Sequence, residues 1–473
     1  MDYQYSEYLR SQKPIFQRLI RELQQHFIYC SVLVTDSKGI SIRVGTQVTS
    51  VGDSPLKERG FVVRVYNGVS YAEYSGNTLN DANFLATVDA VLETAQLSKK
   101  LAQSEHFQSY VYPLMHEEPL TAHYERLKDR EVVNESLIVE RLTALKNKCH
   151  REPLLINCNL GLEHVIINKM FLSPQRDLEQ IYTWTNTMVM GVVRRDQKVQ
   201  YAYQSYSGVD HVSQLESVEH GAMETIDLAI DLLEAKPVEP GIYDVITSPE
   251  ITGLIAHEAF GHGVEMDMFV KQRAKAVEFI GKPIASSLVT MHEGALGPEN
   301  VSSYFFDDEG ILAHDTIVIE KGILKTGIAD TLSAMQLGIE PTGNGKRQSF
   351  ERKTYTRMTN TYFEPGHDSL EKMIESIDNG YLVSTMMSGM EDPKNWGIQC
   401  VALVGREIKN GRLTGSIVSP VYMTGYVPDL LQSISMVSRD FEIDGGGMCG
   451  KGYKEFVKTA GGGPYLKARV ALS

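Results

Sequence analysis
The chain opens with a helical pattern. Over residues 5–27, Tyr8, Leu9, Ile15, Leu19, Ile20 and Leu23 recur at spacings that line one face of a helix. The pattern then switches to alternation. CSVLVTDSKG, ISIRVGTQV, GFVVRVYNG and VSYAEYSG place apolar residues at every second position and are separated by Gly, Asp and Asn. Such segments predict antiparallel strands. Residues 79–104 predict a long helix starting near Asn80, and residues 117–148 are charged and helical in pattern. Four more strand-like segments follow, LLINCNL, HVIINKMFLS, DLEQIYTWTNTMVMGVVRR and VQYAYQSYSG, and then a helix from about Ser213 to Ala235.

KPVEPG, residues 236–241, interrupts these patterns with two prolines and a glycine. It is the expected boundary between an N-terminal domain, 1–236, and a C-terminal domain, 237–473. The second half is expected to open with a helix after Ser248 and then to turn to strands, among them YFFDDEG, TYTRMTNTYFEPG and PYLKARVAL. IVIEKGILKTG and EIKNGRLTG carry Lys-Gly and Asn-Gly turns between alternating runs, a hairpin signal. Long helices beside hairpin-linked strands predict an α+β fold.

Composition narrows the function classes. The net charge of −14 gives no overall pull toward nucleic acid or anionic membrane. No apolar run approaches the roughly 18–20 residues that span a bilayer, and the polar start MDYQYSEYLRSQ has no apolar secretory core. The five cysteines are few, odd in number and scattered, which fits a reducing cytoplasm.

The chemistry concentrates in GLIAHEAFGHGVEMD, residues 253–267. Ser248-Pro249-Glu250 is a helix start, with an N-cap hydroxyl, proline in the first turn and an acid at the positive end of the dipole. Ile251, Leu254, Ile255 and Ala259 form an apolar face. His257 and His262 stand at i and i+5, so a regular helix would separate them by roughly 140° around its axis. They can share an ion only through a π-bulge, or if the helix ends at Gly261 and the chain folds His262 back. The bland alternative is a chance HExxxH in a chain with 13 histidines. A catalytic zinc site needs a third protein ligand. Glu265, Asp267, His292 and Glu293 are candidates, and so is the distant Cys449 in the glycine-rich DGGGMCGKG. PTGNGKRQS fails the phosphate-loop spacing, and the His-Asp pairs at 314–315 and 367–368 read as solvated turns.

HEAFGHGVEMD (257–267), FFDDEG (305–310), IEKGILKTGIADTLSAMQLGIEPTGNGKRQSF (319–350), RMTNTYFEPG (357–366), LQSISMVSRDFEIDGGGMCGKG (431–452) and the ending GGGPYLKARVAL together resemble the TldD/PmbA metallopeptidases, and within them the TldD branch. The resemblance implies zinc as cofactor, His257, His262 and Cys449 as its ligands, and Glu258 as the catalytic base. It implies a β-barrel-like C-terminal half carrying the HExxxH helix, unfolded or flexible peptides as substrates, and a dimer, in some cases with a metal-free TldE/PmbA chain. A non-catalytic binding or regulatory subunit of such a complex is the competing expectation. The older description of the family as modulators of DNA gyrase belongs with it. A purely structural zinc site is a third, against which Glu258 speaks. Residues 388–400, SGMEDPKNWGIQC, depart from the pattern of the best-known members.

Overall fold
The computed structural model describes residues 3–104, 110–128, 132–451 and 454–473. The N-terminal half is an eight-stranded sheet. Its strands run in the order Tyr71–Gly76, Glu58–Tyr66, Cys30–Gly45, Leu155–Leu172, Arg176–Arg195 and Leu120–Arg126. Thr49–Asp53 pairs with Cys30–Gly45, and Lys198–Gly208 with Arg176–Arg195. The helix Glu7–Leu23 buries Leu9, Phe16, Leu19, Ile20 and Leu23, the face its periodicity marks. The helices Phe84–Ala102, Glu135–Cys149 and His211–Asp231 bury comparable faces in the same core.

Two pairs of expected strands are each one continuous strand. Cys30–Gly45 runs straight through Asp36-Ser37-Lys38-Gly39. The polar groups there find partners across the sheet instead of closing a turn. Asp36 accepts from Ser6 Oγ at 2.5 Å and from Arg59 Nε at 2.9 Å, and Ser37 Oγ donates to the Leu56 carbonyl. Gly39 serves close approach, since a Cβ there would lie 2.6 Å from Ser54 Cβ. Leu155–Leu172 likewise joins two expected strands.

The helical expectation for 117–148 is half wrong. Leu120–Arg126 is a strand parallel to Arg176–Tyr182, and the helix is confined to Glu135–Cys149. Here the period of two wins: Leu120, Ala122 and Tyr124 pack beside Phe171, Leu178 and Phe306. Residues 129–131 of that segment lie outside the described residues.

The C-terminal half opens with the strand Gly241–Thr247, not with the helix. This strand belongs to a five-stranded closed barrel, in which Asn379–Asp392, Gly241–Thr247, Leu466–Leu472, Val421–Tyr426 and Gly397–Lys409 pair in turn and the last returns to the first. Both expected hairpins form, and the turn residues Lys321-Gly322 and Asn410-Gly411 all have positive φ. YFFDDEG is a turn and not a strand. The Asp307 carboxylate there accepts the backbone N–H groups of Glu309, Ile311 and Gly345. A six-stranded sheet, including Met291–Glu293, Asn360–Phe363 and Ala460–Gly463, lies beside the barrel.

The helix that begins at Pro249 runs between the two sheets. On one side Gly253 meets Gly461 and Gly462 so closely that a Cβ would lie 2.5 Å from their backbone. On the other, Ile251, Leu254, Ile255, Ala259 and Phe260 join the barrel's apolar cluster. No helix among the described residues is long and apolar enough to cross a membrane.

Candidate metal centre
The helix starts as its sequence predicts: Ser248 Oγ accepts from the Ile251 N–H, and Pro249 sits in the first turn. One regular stretch, Pro249–Leu254, is followed by a π-helical turn over Ile255–Gly261 and a short 3₁₀ turn over His262–Val264. The His262 N–H donates to the His257 carbonyl, an i to i−5 bond. A π turn therefore supplies the missing fraction of a revolution. The two imidazole rings stand 5.1 Å apart, nearly perpendicular at 87°.

The glycines of this turn provide space, not unusual backbone angles. Gly261 has ordinary helical φ −58° and ψ −49°. A Cβ on Gly261 would lie 2.2 Å from Met358 Sδ, and one on Gly263 would lie 2.6 Å from Glu391 Oε1.

Cys449 arrives from the opposite side on the strand Met448–Lys451, which pairs with Lys454–Lys458. Its Sγ lies 3.3 Å from His262 Nε2. One ligand atom each from His257, His262 and Cys449 falls within 4.8 Å of the others, and these residues form the one such group of His, Cys, Asp or Glu among the described residues. Donors on a tetrahedral zinc, with bonds of about 2.3 Å to sulfur and about 2.0 Å to nitrogen, stand roughly 3.5 Å apart. The donor set fits that ion in chemistry and in scale.

The electrostatics favour the ligand form of the thiol. Burial pushes Cys449 up, but the charge and hydrogen bond of His257, together with His262, outweigh it and bring the thiol down to about 4. Burial also acts against a charged His262, and the Glu265 carboxylate and Cys449 overcome it, so the imidazole is held well above its usual range.

Glu265 organises the surroundings. Its Oε2 lies 3.4 Å from His262 Nδ1 and 3.0 Å from Lys451 Nζ, and its Oε1 lies 3.5 Å from Arg357 Nε. Lys451 also donates to Asp267 Oδ1 at 2.8 Å. Arg357 Nη2 donates to the Cys449 carbonyl at 2.9 Å. One buried network thus ties the histidine helix to the cysteine strand.

Glu258 lines the same cleft, with Oε1 4.0 Å from His257 Nε2. It is pressed by the barrel strand Asn379–Asp392, where a Cβ on Gly389 would lie 2.4 Å from Glu258 Cγ. The cleft encloses about 530 Å³, with Leu254, Met386, Met390 and Met448 in its walls.

The other candidates have separate employment. Asp267 pairs with Lys451 and Lys271. His292 is held between Asp315 and Glu364, at 3.1 and 2.8 Å. Glu293 accepts from Asn344, Thr359 and Thr361. The His-Asp pairs are more than solvated turns, because Asp315 binds His292 and Tyr362, and Asp368 accepts the Val437 N–H. Sequence reasoning missed Arg357, Lys451 and Glu391. Glu391 lies in the departing segment 388–400, where its Oε2 accepts the Gly263 N–H at 3.0 Å while Oε1 is buried with no hydrogen-bond partner among the described residues. Nothing in the spacing of residues so far apart signals these contacts.

Residues 240–469 match the model of the PmbA/TldA metallopeptidase C-terminal domain. The chain's C-terminal half belongs to the TldD/PmbA family. A protein of Methanothermobacter thermautotrophicus named a metalloprotease is 30% identical over 305 residues, 64% of this chain and 66% of that protein. A zinc metalloprotease TldD homolog of Saccharolobus solfataricus is 31% identical over 51% of this chain and 53% of its own length. The chain thus spans from about half to just under two thirds of these TldD/PmbA relatives. The crystal structure of TldE from Thermococcus kodakarensis superposes with a TM-score of 0.74 at 20% identity, covering 97% of this chain and 100% of that one, which shows the fold.

Proposed function
We propose that this chain is a zinc-dependent metallopeptidase acting on unfolded or flexible peptides, with His257, His262 and Cys449 as zinc ligands and Glu258 as general base. The observation that carries the reading is the convergence of the three donor atoms within 4.8 Å, in a cleft that Glu258 also lines. The relative named a zinc metalloprotease supports the choice of metal.

Zinc in such a site supplies a Lewis acid that polarises the scissile carbonyl and acidifies water. The rest is the work of this chain. Glu258 is adjacent to a ligand and held against Gly389, so its carboxylate can take a proton from the attacking water and return it to the leaving amine. The network of Glu265, Lys451 and Arg357 fixes the orientation of His262 and of the Cys449 strand. The apolar methionines and Leu254 accept side chains without strong selection. An open cleft of this size admits an extended segment and excludes a folded domain, so flexibility of the substrate is the requirement.

A dimer, with a second copy or with a TldE/PmbA-like chain, belongs to the proposal and is supported by the TldE likeness. So does a reducing, cytoplasmic setting, in keeping with five unbridged, buried cysteines. The separate apolar cores support the division at residue 236: the largest draws on Tyr3 to Leu233 plus Leu403 and Val404, the second on Val238 to Leu472.

The test is hydrolysis of an unstructured fluorogenic peptide by the zinc-loaded protein, alone and with a TldE-like chain. Treatment with a chelator should remove the activity, and added zinc should restore it. A tightly folded domain should survive the same incubation. Hydrolysis that persists in metal-free protein would contradict the proposal.

A further inference from the structure
A second cleft, of about 520 Å³, lies on the other side of the cysteine strand, and Met448 forms part of the wall of both. The two differ in charge. The metal cleft is lined by Glu250, Glu258, Glu391 and Asp444, and its Lys451 is committed to Glu265 and Asp267. The second cleft carries six cations against four carboxylates, Glu58, Asp307, Asp308 and Glu351, and four of the cations are spent: Lys57 on Asp53, Arg59 on Asp36, Lys169 on Asp308 and Arg347 on Glu73.

Two lysines there are different. Lys346 Nζ donates to Ser302 Oγ, the Met358 carbonyl and the Lys458 carbonyl, at 2.8, 3.1 and 2.6 Å. These neutral oxygens satisfy its donors, and the Glu293 and Asp308 carboxylates offset only part of the cost of burying its charge. Among the described residues Lys458 Nζ has one long hydrogen-bond contact, 3.4 Å to the Gly446 carbonyl, and lies over the Trp184 ring at 4.9 Å. An ammonium has three donors. Lys458 therefore keeps two unspent, and neither lysine has a carboxylate partner among the described residues. Burial holds both below the usual lysine range, Lys458 at about 8 and Lys346 at about 7. An anion of fitting geometry would relieve both.

Position gives this anion a role. Lys458 stands at the junction of the clefts, since its contact Gly446 lines the metal side and Lys458 itself lines the other. We infer that the second cleft is a carboxylate-binding subsite, in which Lys458 receives a carboxylate of a peptide whose scissile bond lies at the metal cluster. This rests on the metallopeptidase reading and extends it to substrate class: a peptide with a carboxylate a few residues from the bond, either its own C-terminus or an Asp or Glu side chain. Acidic walls around the metal and the Lys458 ammonium beyond them would then orient the bound peptide.

Binding tests this independently of turnover. A short unstructured peptide is titrated into the Glu258→Gln protein as the free acid, as the C-terminal amide, and as the amide with one Glu or Gln near its end. The account expects the free acid to bind about tenfold tighter than the neutral amide. If the Glu amide recovers the gain, a side-chain carboxylate serves; if it does not, the site reads the C-terminus. Lys458→Met should reduce the acid-to-amide ratio to near one, and Lys458→Arg should retain most of it. Equal binding of acid and amide by the unsubstituted subsite overturns the inference, as does a ratio unchanged in Lys458→Met. Cleavage of the neutral peptide by wild type is scored separately. Cleavage without acid preference overturns only the subsite, and acid-dependent binding without any cleavage keeps the subsite and removes the peptidase.

Discussion
Glu258→Gln should lower kcat for peptide hydrolysis roughly 10³-fold and leave zinc content unchanged. Glutamine keeps the size and shape of the side chain, so the close contact with Gly389 survives. It cannot take a proton from water, and positioned general acid–base groups contribute about 10²–10⁴-fold. Because Glu258 is outside the three-donor group, the metal should stay. KM should move little, since the carboxylate acts on the water and not on peptide binding. Steady-state kinetics and elemental analysis on the same preparation check both halves. A comparable loss of zinc would make Glu258 a ligand, and unaltered kcat would remove it from the chemistry.

Glu265→Ala should be the most damaging single substitution for stability near the site. Glu265 is 1% exposed and faces Lys451, Arg357 and His262. Removing it strands buried positive charge, and breaking a buried ion pair from one side costs about 3–5 kcal/mol. The same change releases His262 Nδ1, and loss of such an outer partner typically weakens metal binding about 10–100-fold. Chemical denaturation of the apo and zinc forms separates the two effects. Glu265→Gln should be milder in stability, because it preserves packing and some hydrogen bonds. If Glu265→Ala unfolds at the wild-type denaturant concentration and holds zinc equally well, the network is ornamental.

The legible parts of this chain were those governed by local periodicity. The helix Glu7–Leu23 and the hairpins at Lys321-Gly322 and Asn410-Gly411 follow from side-chain spacing and turn chemistry. The need for an irregular helix at His257 followed from geometry alone, because i and i+5 cannot share a face in a regular one. What escaped was decided by partners distant in sequence. Asp36 and Ser37 look like turn residues until Ser6, Arg59 and Leu56 satisfy them across the sheet. Leu120–Arg126 looks helical until Phe171 and Phe306 provide an apolar floor for alternate residues. At the site, Cys449 is 187 residues from His262, and no spacing rule connects them. Its glycine-rich setting made it one candidate among several, the family resemblance singled it out, and the fold brings it to 3.3 Å. Glu391 had no signal at all, because its role depends on a hairpin that crosses to the His262 turn.

The central claim is that a helix distorted to i+5 and a distant strand hold one ion together. Elemental analysis of metal per chain, on wild type, His262→Ala and Cys449→Ala, tests it most directly. The account predicts about one zinc per chain in wild type, as a three-ligand catalytic site requires, and loss of most of it in both variants. Stoichiometric zinc retained in Cys449→Ala, or none in wild type after reconstitution, would contradict it.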